Sequence, residues 1–246
     1  RLLFEEKQIA KRVDHCLFVS ETEAELFRTL EPDALHVRAL RNGVDLTAFN
    51  RANTDDIDLG EGPIVCFTGA MDYWATVDAV TWFVEKCWPD ILIQYPRAQF
   101  YIVGSNPNSK VQSLARAQIQ ITGRVERVQP YLSAADVVIA PMRIARGVQN
   151  KVLEAMAMAC PVVTTSAGAE GIEFVNEEHG LIADDAKGFV NAVLNLLGDR
   201  DYSHALGHAA RTTALNNFSW DHCLHPLGDL LGSMQLKNAK VRDLGD

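Results

Sequence analysis

The chain has 246 residues, 48% of them hydrophobic and 22% charged, enough apolar material to bury one large domain or one and a half. Lys and Arg total 23 against 32 Asp and Glu, and the formal net charge of -9 repels a phosphodiester backbone. That excludes nucleic acid as a partner but not a local basic pocket for a nucleotide phosphate. The five cysteines are odd in number and form no CxxC, which points to reduced, buried thiols in a cytoplasmic protein rather than disulfides or zinc. No apolar run approaches the roughly 18 residues of a membrane helix.

The chain opens with Arg1 inside a helical pattern, "LLFEEKQIAKRV", so a fragment or a processed chain is expected. "VDHCLFVS" (13–20) reads as a buried strand. Ser20, with Glu23 three residues on, is a capping-box pattern, and its helix runs through Leu30 before Pro32. "HVRAL" is a second strand, and Asn42-Gly43 in "RNGVD" marks a turn. Residues 47–62 are polar and read as a linker; the acidic run "TDDID" within them is a solvated charge cluster. A new unit then begins. "PIVCFTG", "QFYIVG", "IQITG", "DVVIAP", "PVVTT" and "GLIAD" read as six strands. Helical patterns alternate with them at 77–88, 111–117, 128–135 and from about Val148, and three more, at 186–197, 202–216 and 220–234, close the chain. Residues 170–178 are expected to form a surface loop, and 237–246 a frayed tail.

Apolar strands alternating with helices predict an α/β fold, a Rossmann-like parallel sheet covered by helices on both faces. The boundaries read as 1–45 for the remnant of a preceding Rossmann-like domain, 46–62 for a hinge, 63–236 for the main domain and 237–246 for the tail. Ligands in such sheets lie at the carboxyl ends of the strands where strand order reverses. Gly69, Gly104 and Gly123 all follow strands, and a glycine lets backbone approach a ligand closely.

Glu154 is the unusual residue of "KVLEAMAMACPVVTT" (151–165). It lies too deep in its helix to cap it, on a face otherwise apolar. The amino end of that helix favours an anion, phosphate being the usual one. A carboxylate there can accept two hydrogen bonds from a ribose diol. Equally, Glu154 can pair with Lys151 across one turn, worth a few tenths of a kcal/mol. The residues alone leave both open.

"NKVLEAMAMACPVV" resembles the signature segment of the glycosyl transferases group 1 family, retaining enzymes of GT-B fold. "RNGVD", "FTGAMDYWATVDAV", "ITGRVERVQPYLSAADVVIAPM", "SAGAEGI", "EEHGLI" and "FSW" resemble further family segments, in family order, from about Val13 to Leu231. "GAMDY", "NKVLEAMAM" and "GAEGI" together are similar to a branch linked to bacterial exopolysaccharide assembly.

The resemblance implies that Glu154 holds the donor ribose and that Gly147, Val148, Gln149 and Asn150 offer amides to the diphosphate and donor sugar. Gly123, Arg124 and Val125 would line the nucleobase, and Gly69 the diphosphate. It implies transfer of a sugar from a nucleoside diphosphate sugar to an acceptor hydroxyl with retention, no metal, and a saccharide or lipid-linked acceptor. It also implies a cytoplasmic enzyme at the inner face of the membrane, peripherally held through a missing N-terminal domain, with this fragment inactive alone. A truncated front that exposes a sheet edge would leave the fragment open to homodimerisation.

Three departures stand out. Eight residues before Glu154, where the family has its first Glu, this chain has Arg146. The loop "GAMDYWATVD" lacks the Arg and Lys that grip the diphosphate in many members, and Lys151 and Arg146 are the expected catalytic substitutes, ahead of Arg143. Ala159 replaces the glycine that ends the motif helix; a left-handed backbone there would cost about 1 kcal/mol. Trp74, in a site loop, is a weaker candidate for sugar contact, while Trp82 and Trp88 read as core. The seven histidines show no metal spacing, "HALGH" (204–208) included. The alternatives are a non-catalytic GT-B-like scaffold of a polysaccharide assembly complex and, less well supported by the motif series, a nucleotide-sugar epimerase.

Overall fold

The computed structural model describes residues 2–34, 36–145 and 147–243, the side chains of 233–243 excepted. The chain divides into two compact units, Arg1–Gly43 with Asn217–Asp246, and Val44–Asn216.

The first unit begins with α1 (Leu2–Ala10), β1 (Cys16–Phe18), α2 (Glu21–Leu30) and β2 (Val37–Ala39). β1 and β2 pair in parallel, Cys16 opposite Val37. β1 is shorter than the apolar run that predicts it, and Val13 and Val19, beyond its two ends, face solvent. α2 starts as its sequence dictates: extended Ser20 accepts from the Glu23 amide at 3.2 Å. Ala10, Ala24, Phe27, Ala34 and Val37 form the buried cluster, with Phe18 against Phe27 at 5.0 Å between ring centroids.

The second unit opens with a 3-10 turn, Arg51–Asn53, inside the expected linker. There follow β3 (Ile64–Thr68), α3 (Trp74–Lys86), α4 (Trp88–Gln94), β4 (Gln99–Val103), α5 (Ser109–Gln112), β5 (Ile119–Gly123) and α6 (Gln129–Ala134). Then come β6 (Val137–Ala140), α7 (Asn150–Ala157), β7 (Val162–Thr164), α8 (Ser166–Ala169), β8 (Leu181–Ile182), α9 (Ala186–Gly198) and α10 (Arg200–Asn217). α11 (Trp220–Asp243) returns to the first unit and extends into the expected tail. Six strands form one parallel sheet in the order β5-β4-β3-β6-β7-β8, an α/β Rossmann-like arrangement. Successive strands spread outward in both directions from β3 and β6, so strand order reverses between those two.

Every residue of β3, β6 and β7 is buried, which is why these strands read as apolar throughout rather than alternating. Phe83, Trp88, Phe100 and Phe189 interlock with ring centroids between 4.9 and 6.0 Å, and Trp82 sets its edge on Phe189 at 5.7 Å. The single helix expected over 77–88 is two. α3 ends at Cys87, whose amide closes on the Phe83 carbonyl at 2.9 Å. Pro89 then sits in the first turn of α4, where a missing amide hydrogen is tolerated. The helix expected over 111–117 is a single turn over 109–112, started by the Asn108 side chain on the Val111 amide. α8, between β7 and the expected loop over 170–178, is set by Thr165 Oγ1 on the Gly168 amide at 3.0 Å.

Candidate functional site

A cleft of about 570 Å³ opens at the carboxyl ends of the strands, at the reversal point. Two glycines bring its walls together. The Gly69 amide donates to the Val103 carbonyl at 3.0 Å and the Met71 amide to the Ser105 carbonyl at 2.8 Å, zipping the loops after β3 and β4. Gly104 has φ +152, and a Cβ there would collide with the Gly69 carbonyl, so only glycine permits this approach. The wall holds Thr68 and Gly69, Gly104 to Asn106, Arg124 and Val125, and Asn150, Lys151 and Glu154 of α7.

α7 begins at Asn150, two residues later than its periodicity suggests, because Gly147 at φ +65 turns the chain and Gln149 is still extended. Glu154 therefore lies about one turn in, half-buried, and the Lys151 side chain reaches back toward Gly69. Burial pushes the Glu154 carboxyl up to about 7, against a downward pull from the Lys151 charge. Burial likewise pushes the Lys151 ammonium below its ordinary value, with Glu154 opposing. No ion pair closes between them among the described residues. Among the described residues Lys151 Nζ has distant partners, Gln149 Oε1 at 3.5 Å and Met142 Sδ at 3.9 Å, and stands 5.6 Å from the Phe67 ring centroid. The cleft thus presents a carboxyl and an ammonium that are both short of solvent and not neutralised by each other.

Of the residues expected from the sequence, the cleft gathers Gly69, Arg124, Val125, Asn150, Lys151 and Glu154. Gly123 ends β5 at φ +67, one residue from the wall. Gly147, Val148 and Gln149 fall outside the lining, since the later start of α7 places them ahead of its first turn. Arg146 lies outside the described residues. Arg143 is turned elsewhere: Nε donates to Asp78 Oδ2 at 3.0 Å, and the guanidinium stands 5.9 Å from the Trp82 ring centroid. Trp74 opens α3 and is 57% exposed beside Tyr73, outside the lining.

The sequence reading missed Thr68, Ser105 and Asn106. Thr68 Oγ1 is buried in the cleft wall without a hydrogen-bond partner among the described residues. Asn106 donates to Asp72 Oδ2 at 3.1 Å and holds φ +55. The available signal was their place, at or just past the carboxyl ends of β3 and β4, where a parallel sheet gathers its ligand contacts.

Against known proteins, the glycosyl transferases group 1 family matches residues 62–199. Alpha-maltose-1-phosphate synthase of Mycolicibacterium smegmatis is 28% identical over a 220-residue gapped alignment that covers 80% of this chain and 56% of that protein. An uncharacterized 44.6 kDa protein in the cps region of Klebsiella pneumoniae is 26% identical over a 140-residue gapped alignment that covers 53% of this chain and 36% of that one. Among solved structures, sucrose-phosphate synthase from Thermosynechococcus elongatus superposes with a TM-score of 0.76 at 24% identity, over 96% of this chain and 62% of that one. Anabaena Alr3699/HepE in complex with UDP and glucose gives 0.73 at 15% identity, over 94% and 66%. These structures share the fold. The chain spans about half the length, or less, of the curated relatives it matches. Since the family match takes in more than half of the chain, from the residues before β3 through the cleft-lining loops to the end of α9, the chain belongs to the glycosyl transferases group 1 family.

Proposed function

We propose that this chain holds the nucleoside diphosphate sugar donor of a glycosyltransferase, which passes the sugar to an acceptor hydroxyl with retention, in bacterial polysaccharide or exopolysaccharide synthesis. The observation that carries the donor site is Glu154, a carboxyl without a hydrogen-bond partner among the described residues, held in a cleft at the reversal point of the sheet. Its two oxygens suit the two hydroxyls of a ribose. Lys151, short of partners on the same wall, suits a diphosphate oxygen, and the amino end of α7 adds its dipole. Arg124 and Val125, with Gly123, suit the base. The Alr3699/HepE neighbour was solved with UDP and glucose, which makes UDP the first nucleotide to try.

In this proposal the bond from the anomeric carbon to the diphosphate oxygen breaks as negative charge builds on the leaving diphosphate; the acceptor oxygen bonds to that carbon and its hydroxyl proton passes to the departing diphosphate oxygen. Lys151, Arg146 and the helix dipole would stabilise that charge, without reorganisation at the moment of reaction. The polysaccharide setting rests on the resemblance of "GAMDY", "NKVLEAMAM" and "GAEGI" to that branch. A non-catalytic scaffold is the second proposal, and Arg146 in the place of the family's first Glu favours it.

Thermal melting against UDP, GDP, ADP, CMP and their sugar conjugates separates the two. A ligand at ten times its dissociation constant adds about 1.4 kcal/mol, a rise of a few degrees. A response to one base, lost in Glu154→Ala, is expected, with no sugar transfer by this chain alone. Silence across the panel would refute donor binding by this chain.

A further inference from the structure

A second cavity, of about 450 Å³, lies at the opposite ends of the strands. Pro63, Asp136 and Pro161, the residues just before β3, β6 and β7, line it, so it sits beneath the sheet from the donor cleft. Its volume is within the range of small-molecule sites.

Most of its polar side chains have no protein partner among the described residues; Arg200 and His204 are exposed to solvent. Arg200 and His204, one turn apart on α10, make no side-chain hydrogen bond or ion pair with any described residue, nor does Ser133 on α6. Ser203 is only 3% exposed, and its hydroxyl also has no partner among the described residues. A nearly buried hydroxyl on a helix ordinarily finds a carbonyl one turn back; this one is left to the cavity. Arg51 donates through Nε to the Met158 carbonyl at 2.9 Å, with Nη2 3.9 Å from Cys160 Sγ. Asp136 is the single carboxylate among the described lining residues, and its Oδ2 is engaged by the Ile64 amide at 2.7 Å.

Two guanidiniums, an imidazole and two hydroxyls thus surround one carboxylate already in use. On a chain of net charge -9, that is a local reversal of sign. A surplus of donors selects an anion, and guanidinium forks match phosphate oxygens. The cavity holds more than a bare phosphate fills, and Ser133 and Ser203 add neutral partners suited to a polyol. We propose that this cavity binds a small organic phosphate of sugar-phosphate size, its phosphate on Arg200, His204 and Arg51 and its hydroxyls toward Ser133 and Ser203. The site is independent of the donor cleft.

Isothermal titration of the 246-residue chain with glucose 1-phosphate, glucose 6-phosphate and glycerol 3-phosphate, at fixed ionic strength, tests this. Glucose and inorganic phosphate are the comparison ligands. Arg200→Ala and His204→Ala are the informative variants, because neither side chain has a described partner whose loss would unfold the chain; Arg51→Ala would disturb the end of α7. At least one organic phosphate is expected to bind saturably. Glucose should be silent and inorganic phosphate at least about tenfold weaker. Arg200→Ala and His204→Ala should each weaken binding about tenfold or more with melting unchanged, while Lys151→Met, in the donor cleft, keeps it. Three results would overturn the proposal: no saturable binding by any of the three, inorganic phosphate binding as tightly as the best of them, or binding that survives Arg200→Ala and disappears in Lys151→Met.

Discussion

Glu154→Gln is expected to stabilise the protein and to impair it as a nucleotide binder, and the pH dependence separates the two effects. The carboxyl stands at about 7 in the fold against an ordinary 4.5, with burial as the main cause. A folded value raised above the unfolded one means that the fold prefers the neutral acid. The wild type is therefore least penalised at low pH, loses stability as pH rises from about 4.5 to about 7, and levels off above. Each tenfold step in acidity corresponds to about 1.4 kcal/mol, so the full loss is on the order of 3 kcal/mol, reduced toward about 2 by the open side of the cleft. Glutamine is neutral at every pH and nearly the same shape. Chemical denaturation of both proteins across that range should show them nearly equal in acid, with the variant ahead by about 2–3 kcal/mol in mild alkali. Titration with the nucleotide that binds should run the other way. Only the carboxylate accepts both ribose hydrogen bonds, so wild-type affinity should fall about tenfold between pH 8 and pH 6, while Glu154→Gln binds weakly and without that slope. A stability difference that stays constant with pH would refute the assigned environment of this carboxyl.

Two further substitutions test the same helix. Lys151→Met removes a cation whose partners are remote, so stability at neutral pH should hold or rise, while affinity for a nucleoside diphosphate should drop about tenfold or more and that for the bare nucleoside stay put; equal losses for both ligands would remove Lys151 from the diphosphate. Ala159 holds φ +53 just beyond α7, a left-handed conformation that costs a residue with a Cβ about 1–2 kcal/mol, against about 0.4–1 kcal/mol lost to a freer unfolded chain in Ala159→Gly. The variant should gain about 0.5–1 kcal/mol, visible as a higher melting temperature of a degree or more; a lower one would mean that the methyl packs usefully enough to offset the strain.

The sheet was legible because β3, β6 and β7 are buried on both faces, so their residues had no freedom to alternate. The glycine after β4 was legible too, since backbone meets backbone where Gly104 approaches the Gly69 carbonyl and a side chain at Gly104 would collide with it. Glu154 announced itself as an acid on an apolar face. What escaped depends on distances along and between elements. Thr68 looks like an ordinary β-branched strand residue until its hydroxyl proves to lack a partner. The start of α7 is fixed by the turn at Gly147 rather than by periodicity, and that shift of two residues removes Val148 and Gln149 from the cleft wall. Arg143 and Lys151 are both cations near one loop in sequence, yet only Asp78, far along the chain, decides that Arg143 turns away.

α7 carries Lys151 and Glu154 near its amino end, and its other end is built to hold it there. Lys151 and Glu154 are both desolvated, and Ala159 strains the exit. Against this, the carbonyls at the carboxyl end are tied down by side chains distant in sequence. Arg51 Nε meets the Met158 carbonyl at 2.9 Å, and Arg211 donates to the Ala157 carbonyl while also reaching the Phe49 carbonyl at 3.2 Å. Cations at that end oppose the negative pole of the helix and satisfy acceptors that have no partner within it. Val152, Leu153, Ala155, Met156 and Ala157 fix the axis by burial. The helix is therefore anchored by charge at one end and by packing along its length, which leaves the Lys151 and Glu154 side chains on the cleft wall with no ion pair between them among the described residues. The packing that positions Glu154 is also what desolvates it, and two donors brought to its carboxylate would offset that cost.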